Sequence, residues 1–198
     1  GEDWDGTIIE YDDDFLNLPR YVGIALGEGN LRTVLHWLHK GNFKERVNAK
    51  CKEGFNIGLL YLAAANQQHD LMSYLLLNGA AANILDSSGI SVLALFCLSK
   101  DISLETVTLL MSWGAEHIVK GELLTKERKL ASCHEMSAKG NYASANLMSS
   151  ELGGRRCEIT SAPKTRDDLV GKTCVANKYI EESNQYRVTM EFTNEVLL

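Results

Sequence analysis

The segment 56–83 constrains the fold of this chain more than any other. It contains two short apolar stretches, 57–65 and 71–77, separated by a polar break, and Gly79 follows where a helix is expected to stop. Helices of this length are marginal on their own, because few backbone hydrogen bonds offset the cost of nucleation. Such a unit needs neighbouring copies to cover its apolar faces, so the first question is whether the pattern repeats.

The pattern recurs on both sides of this segment. Upstream, aligning Gly41 with Gly79 brings an alanine, a glycine turn and an apolar run into the same register, and Asn48 follows Gly41 as Asn83 follows Gly79. Downstream, a leucine run again ends in Gly-Ala at Gly114. The intervals between these closing glycines are slightly longer than about 33 residues, which indicates a helical repeat lengthened by loop insertions.

These residues resemble a degenerate ankyrin repeat. Ala63-Ala64 matches the Ala-Ala of that pattern, residues 79–83 match its Gly-Ala-x-x-Asn, and residues 91–93 occupy its Thr-Pro-Leu slot. No copy carries the complete Thr-Pro-Leu-His, so the resemblance depends on the leucine runs, the glycines and the repeat interval. It covers about residues 15–118 and implies a mainly α protein, an ankyrin-like helical solenoid with a divergent polar cap.

A change in composition at Gly153-Gly154 predicts a boundary. β-Branched residues alternate beyond it, and residues 169–172 and 186–188 resemble the Leu-x-Gly-Lys and Tyr-x-Val signatures of a small Src-homology-3-like β-barrel, found after ankyrin repeats in algal-type multidomain proteins. The two resemblances imply an acidic arm (1–14), ankyrin-like repeats with their cap (15–152) and a small β-barrel (153–198). The chain ends where such a barrel needs its last strand, which leaves its completeness open.

The negative charge is concentrated at one end of the chain. The formal net charge is −6, and residues 1–14 contain seven acidic residues and no basic one. Trp4, Ile8, Ile9 and Tyr11 are interleaved with these acids. Two interpretations of the arm stay open, a solvated tail or a docking arm for a basic partner.

The cysteines bear on the cellular compartment. They are five in number, an odd count, and no Cys-x-x-Cys motif occurs. This usage favours a reducing intracellular compartment (cytoplasm, nucleus or organelle stroma) over a disulfide framework. No apolar run reaches about 18 residues, so the sequence predicts no membrane span.

The motifs that carry chemistry are incomplete. Gly171-Lys172-Thr173 lacks the preceding glycine of a phosphate-binding loop, because Arg166 occupies that position. His36 and His39 are spaced to share a metal ion, but no third ligand lies near them in sequence. No histidine or acid is placed to activate a cysteine. We therefore expect neither catalysis nor a cofactor nor a metal ion.

The resemblance implies a non-enzymatic protein-interaction module that acts as an adaptor, a scaffold or a subunit of a larger assembly. The pattern predicts partner-binding residues at hairpin tips and on inner helices: Glu53, Phe55, Tyr61, Asn66, Gln67, Ser88, Ile90 and Lys100. Phe55 and Ile90 are the predicted hot spots, because apolar side chains at solvent-facing tips indicate binding.

Two alternative functions stay open. The chain could be the regulatory or targeting region of a larger enzyme whose catalytic domain lies elsewhere. It could also bind nucleic acid weakly through basic residues of the β-barrel, although eight acidic residues after position 150 oppose a strong electrostatic footprint. The identity of a protein partner and the oligomeric state do not follow from the sequence.

Overall fold

The structure is a computed structural model that describes residues 15–99, 103–162 and 164–198. The helices are α1 (Arg20–Gly27), α2 (Leu31–His39), α3 (Phe43–Arg46), α4 (Leu59–Ala65), α5 (His69–Leu77), α6 (Val92–Leu98), α7 (Leu104–Ser112), α8 (Lys126–Ala138), α9 (Tyr142–Ser149) and a 3₁₀ segment (Lys164–Leu169). The strands are β1 (Lys50–Cys51), β2 (Ile57–Gly58), β3 (Ile118–Val119), β4 (Glu122–Leu123), β5 (Arg156–Glu158), β6 (Thr173–Ile180), β7 (Gln185–Met190) and β8 (Val196–Leu197). The predicted acidic arm lies outside the described residues.

The predicted fold class, a mainly α solenoid followed by a small β-barrel, is wrong. The structure is 44% helical and 17% strand, and its described residues include three small antiparallel sheets. Two of these sheets are short ribbons, β1–β2 and β3–β4. Strand β2 begins the apolar stretch 57–65 that the sequence predicts as a helix, and β3–β4 follows the last leucine run. Pairing across a ribbon satisfies the backbone N–H and C=O groups of the connection, which the hydrophobic pattern alone does not reveal.

The chain forms two compact units. Of the described residues, 15–96 and 115–124 form the first unit, and 97–99, 103–114, 125–162 and 164–198 form the second. Both units are therefore built from segments that are not contiguous in the chain.

In the first unit, helices pack as consecutive pairs. Helix α1 packs against α2, α4 packs against α5, and α1 also contacts α4. Their inward faces consist of side chains that are almost fully buried, including Val22, Leu26, Val34, Leu38, Leu59, Leu60, Met72 and Leu75. Burial of each such side chain stabilises the fold by about 1.5–3 kcal/mol, so packing rather than intrinsic helix propensity holds these short helices in place.

Two asparagines in the first unit join successive connections. The backbone N–H of Ala81 donates to Oδ1 of Asn48 at 2.8 Å, and the N–H of Glu116 donates to Oδ1 of Asn83 at 2.7 Å. Asn48 also donates to the carbonyl of Gly79 at 3.1 Å. Each of these backbone-to-Oδ1 hydrogen bonds joins residues 33 positions apart. The two asparagines that the sequence alignment matches therefore make equivalent hydrogen bonds.

In the second unit, helices pack beside a four-stranded sheet. Helix α9 packs against α7, α8 and β6. The sheet is antiparallel, its strands follow the chain order β5-β6-β7-β8, and an irregularity between Ala176 and Lys178 interrupts the β6–β7 register. Leu169, Cys174 and Met190 form its small buried core.

Gly153 and Gly154 lie inside this second unit in close packing. A Cβ on Gly153 would lie 1.8 Å from the carbonyl oxygen of Leu147, and a Cβ on Gly154 would lie 2.7 Å from Cβ of Met111. Gly154 also has a φ of +71°, which glycine adopts at little cost. Both glycines therefore lie where the backbone closely approaches neighbouring residues and a larger side chain would clash.

No helix within the described ranges is long and apolar enough to cross a membrane.

Candidate protein-binding loops

Three connections of the first unit form a hydrogen-bonded series that we call the loop row: residues 52–56, 86–90 and 119–122. The N–H of Ser87 donates to the carbonyl of Phe55 at 2.8 Å, which joins the first loop to the second. The N–H of Gly121 donates to the carbonyl of Gly89 at 2.8 Å, which joins the second to the third. These backbone bonds give the loop row a defined shape before any partner arrives.

The tip of the first loop is conformationally strained. Phe55 and Asn56 both have left-handed backbone conformations, with φ of +57° and +56°. For a non-glycine residue this region costs about 1–2 kcal/mol, and a bulky aromatic residue adopts it rarely. The carbonyl bond to Ser87 and the β1–β2 pairing hold the tip in this conformation.

The side chain of Phe55 projects from this strained tip into solvent. It is 74% exposed, although phenylalanine is ordinarily a core residue. Glu53, the acidic neighbour at the same tip, is also exposed. An aromatic ring that is held out on a rigid backbone matches the usual description of an interface anchor.

The second loop places its two predicted residues differently. Ser88 is exposed, and its N–H donates to Oδ1 of Asp86 at 2.8 Å. Ile90 is half-buried, and its N–H donates to the same oxygen at 2.9 Å. Asp86 therefore shapes this loop, and Ile90 offers a partner less apolar surface than Phe55 does.

The remaining described candidates lie along α4 and the turn after it. Tyr61 is half-buried, and its ring contacts that of Phe96 with centroids 5.9 Å apart. Asn66 donates from its side chain to the carbonyl of Leu62 at 2.8 Å, so it closes the end of its own helix. Gln67 is exposed and left-handed, with φ of +54°. The structure thus joins Phe55 and Ser88 through adjoining loops, whereas Asn66 and Gln67 belong to a helix turn. Lys100 lies outside the described residues.

Sequence reasoning missed the third loop of the row. Lys120 and Gly121 have φ of +57° and +77°, which are the left-handed conformations of a two-residue hairpin turn. Lys120 is exposed at its tip. In the sequence, a Lys-Gly pair between short apolar runs indicates a hairpin turn. The indication is weak here, because the flanking strands have only two residues each.

The two histidines of α2 take part in polar and aromatic contacts. Nε2 of His39 lies 2.7 Å from the hydroxyl of Tyr74, and its ring lies 5.1 Å from that of Phe43. His36 is exposed. Across residues 15–99, 103–162 and 164–198, no three His, Cys, Asp or Glu side chains are grouped so that they could hold a metal ion.

Four of the cysteine thiols have raised pKa values, which lowers their thiolate fraction at neutral pH. Burial raises the pKa of Cys97 to about 12. Burial likewise raises the pKa values of Cys133, Cys157 and Cys174 above the ordinary range. Since the thiolate is the reactive form, these protonated thiols do not provide an activated nucleophile.

Two basic side chains of the second unit are paired with acids. The guanidinium of Arg166 donates two hydrogen bonds to the carboxylate of Glu195, both at 3.0 Å, and a third to Asp168 at 3.3 Å. Arg156 forms an ion pair with Glu191. These pairs reduce the positive field that phosphate recognition requires.

A polar cleft of about 590 Å³ lies between the end of α9 and the β6–β7 turn, within the second unit. Glu151, Glu181 and Glu182 contribute to its walls together with Tyr179 and Tyr186. The two tyrosines are direct partners across β6 and β7, and their ring centroids are 5.0 Å apart. The sequence analysis did not predict this tyrosine pair.

The chain matches no family model and no curated protein.

Proposed function

We propose that this chain is a non-enzymatic protein-interaction module that binds its partner through the loop row, with Phe55 as the anchor residue. The partner offers an apolar pocket that accepts the Phe55 ring. Glu53, Ser88 and Lys120 make the surrounding polar contacts. Such a module serves as an adaptor, a scaffold or a subunit of a larger assembly.

The observation that carries this proposal is the conformation of Phe55. Position 55 combines a strained backbone with an aromatic ring that is 74% exposed. Each feature makes the folded state less favourable than it would be with glycine or a polar residue at this position. Two unfavourable features in one residue indicate a role other than folding. Binding is such a role, because the apolar surface of the ring is removed from water when it packs against a partner.

The loop row supports the same proposal. Its backbone hydrogen bonds keep the three tips ordered in the free protein, so little conformational entropy is lost when a partner binds. Preformed surfaces of this kind bind without the ordering cost of flexible loops.

Affinity capture with matched baits tests the proposal. The full chain, its Phe55→Ala variant and a Leu77→Ala variant are immobilised and exposed to an extract of the source cells. Leu77 is the control, because its side chain is 70% exposed but lies on α5 rather than in the loop row. A captured partner is then purified, and its affinity for each bait is measured by calorimetry.

The expected result is selective loss at Phe55. The parent and Leu77→Ala bind the partner with similar affinity, whereas Phe55→Ala weakens binding about 30-fold or more, as expected for a hot spot worth at least about 2 kcal/mol. Equal affinity of all three baits for every purified partner would move the interface elsewhere and refute the assignment to the loop row.

We also propose a reducing intracellular compartment. All five cysteines are free, and three of them are buried in the core. Unpaired buried thiols of this kind are typical of proteins that remain in a reducing environment.

A further inference from the structure

A pair of cysteines lies directly opposite across two strands of the second unit. Cys157 of β5 pairs in register with Cys174 of β6, in antiparallel orientation. Direct partners on antiparallel strands point to the same face of the sheet, with their Cα atoms about 4.5–5.5 Å apart. A disulfide requires Cα atoms about 4.4–6.8 Å apart, so the backbone already meets this condition.

The surroundings place both thiols in one small core. Cys174 is buried beside Leu169 and Met190, and Cys157 packs against the same cluster. Cys174 is 2% exposed, whereas Cys157 is half-buried. Cys157 is therefore the more exposed residue of the pair, and Cys174 lies directly opposite it in the strand register.

We propose that Cys157 and Cys174 form a reversible redox modification site, at which a disulfide between β5 and β6 locks β5 to the sheet. The oxidant is a small disulfide such as oxidised glutathione. This inference is independent of the loop row and of the function proposed for it.

The reaction proceeds by two thiol–disulfide exchanges. The thiolate of Cys157 attacks one sulfur of the glutathione disulfide, breaks its S–S bond and releases one glutathione thiolate. The thiolate of Cys174 then attacks the Cys157 sulfur of the mixed disulfide and releases the second glutathione. Two electrons pass from the protein thiols to glutathione, and the two protons that the cysteines lose are taken up by the departing thiolates.

Burial of the two thiols slows this reaction. Burial raises the pKa of Cys157 and of Cys174, so the thiolate fraction at neutral pH is small. Exchange with oxidised glutathione is therefore slow, because each step needs the thiolate form of the attacking cysteine.

The locked strand has neighbours outside the sheet. The guanidinium of Arg156, on β5, lies 4.9 Å from the ring centroid of Trp113 at the end of α7. The adjoining Arg155 donates to the carbonyl of Met111, in the same helix, at 3.5 Å. Since β5 is an edge strand with one hydrogen-bonded neighbour, pinning it to β6 also restrains its contacts with α7.

Peptide mapping without reduction tests the proposal. The full chain is incubated with oxidised glutathione, its remaining thiols are alkylated, and the protein is digested with trypsin, which places Cys157 and Cys174 on separate peptides. We expect these two peptides to be joined, the intact protein to lose two of its five free thiols, and dithiothreitol to restore both. Hydrogen exchange of the β5 amides should slow about tenfold in the oxidised protein.

Matched variants complete the test. Cys157→Ser, a conservative change at a half-buried site, should abolish both the linked peptide and the slower exchange. Cys51→Ser, in the first unit, should preserve both effects. The proposal is overturned if oxidation links other cysteines such as Cys97 and Cys133, or if glutathione remains on Cys157 without transfer to Cys174.

Discussion

Phe55 is a residue whose conformation and exposure are both unfavourable for folding. Its left-handed φ of +57° would suit glycine, which has no Cβ to clash with the neighbouring carbonyl. Its ring is largely exposed, so removal of the ring loses little packing. Under the proposed function, the Phe55 side chain is explained by its contact with the partner.

Replacement of Phe55 by glycine should separate stability from binding. We expect Phe55→Gly to be more stable than Phe55→Ala by about 1 kcal/mol, because alanine keeps the backbone strain whereas glycine relieves it. Both variants should lose the partner equally. Urea denaturation measures the difference, and a glycine variant less stable than the alanine variant would show that the backbone at this position is unstrained.

At the same scale, residue patterns indicated some roles well and others poorly. The alignment of Asn48 with Asn83 from glycine spacing agrees with their equivalent hydrogen bonds. Gly153-Gly154 marks the predicted boundary, which stays a prediction, and the structure places both glycines where the backbone approaches Leu147 and Met111. Composition cannot distinguish a glycine that confers flexibility from one that is needed for close packing.

Among the elements, the β7–β8 turn is tied to the 3₁₀ segment by a two-pronged ion pair. Arg166 of that segment binds both carboxylate oxygens of Glu195, which immediately precedes β8. The hydrogen bonds from Arg166 lower the pKa of Glu195 below its ordinary value of 4.5. A carboxyl group whose pKa is lower in the folded state stabilises the fold when it is ionised.

Acid should remove this contribution. Stability from the pair is fully present above the unfolded pKa of glutamate and is lost as the pH falls through the lowered folded value. The difference in melting temperature between the parent and Glu195→Gln should therefore be largest near neutral pH and shrink below pH 4.5. Glu182→Gln, which removes the same charge from the exposed β6–β7 turn, is the control. A parent–Glu195→Gln difference that is constant with pH would contradict the role of the ion pair.

Short strands limited what the sequence could predict about elements. The apolar stretches 57–65 and 71–77 located α4 and α5, because these helices of 7 and 9 residues are long enough for the pattern to show. Ribbons β1–β2 and β3–β4 have only two residues per strand, too few to show an alternating pattern. The loop row depends on these ribbons and on hydrogen bonds between connections, so its shape could not be derived from periodicity.

For the whole molecule, charge argues against nucleic acid as the principal partner. The net charge is −6, and the arginines at positions 156 and 166 are paired with carboxylates. We expect the full chain to show no retardation with a single-stranded oligonucleotide at about 10 μM protein in about 50 mM salt. Tight binding that weakens steeply as salt is added would instead favour the nucleic-acid alternative.

The arrangement of the two units has a consequence for synthesis. Residues 115–124 complete the first unit, but the ribosome makes them after residues 97–114, which belong to the second. Helix α7, whose buried side chains include Val107, Leu110 and Met111, therefore emerges before its packing partner α9. A nascent chain in this state presents an apolar surface to chaperones, so translation speed across residues 115–149 governs how long this surface is exposed.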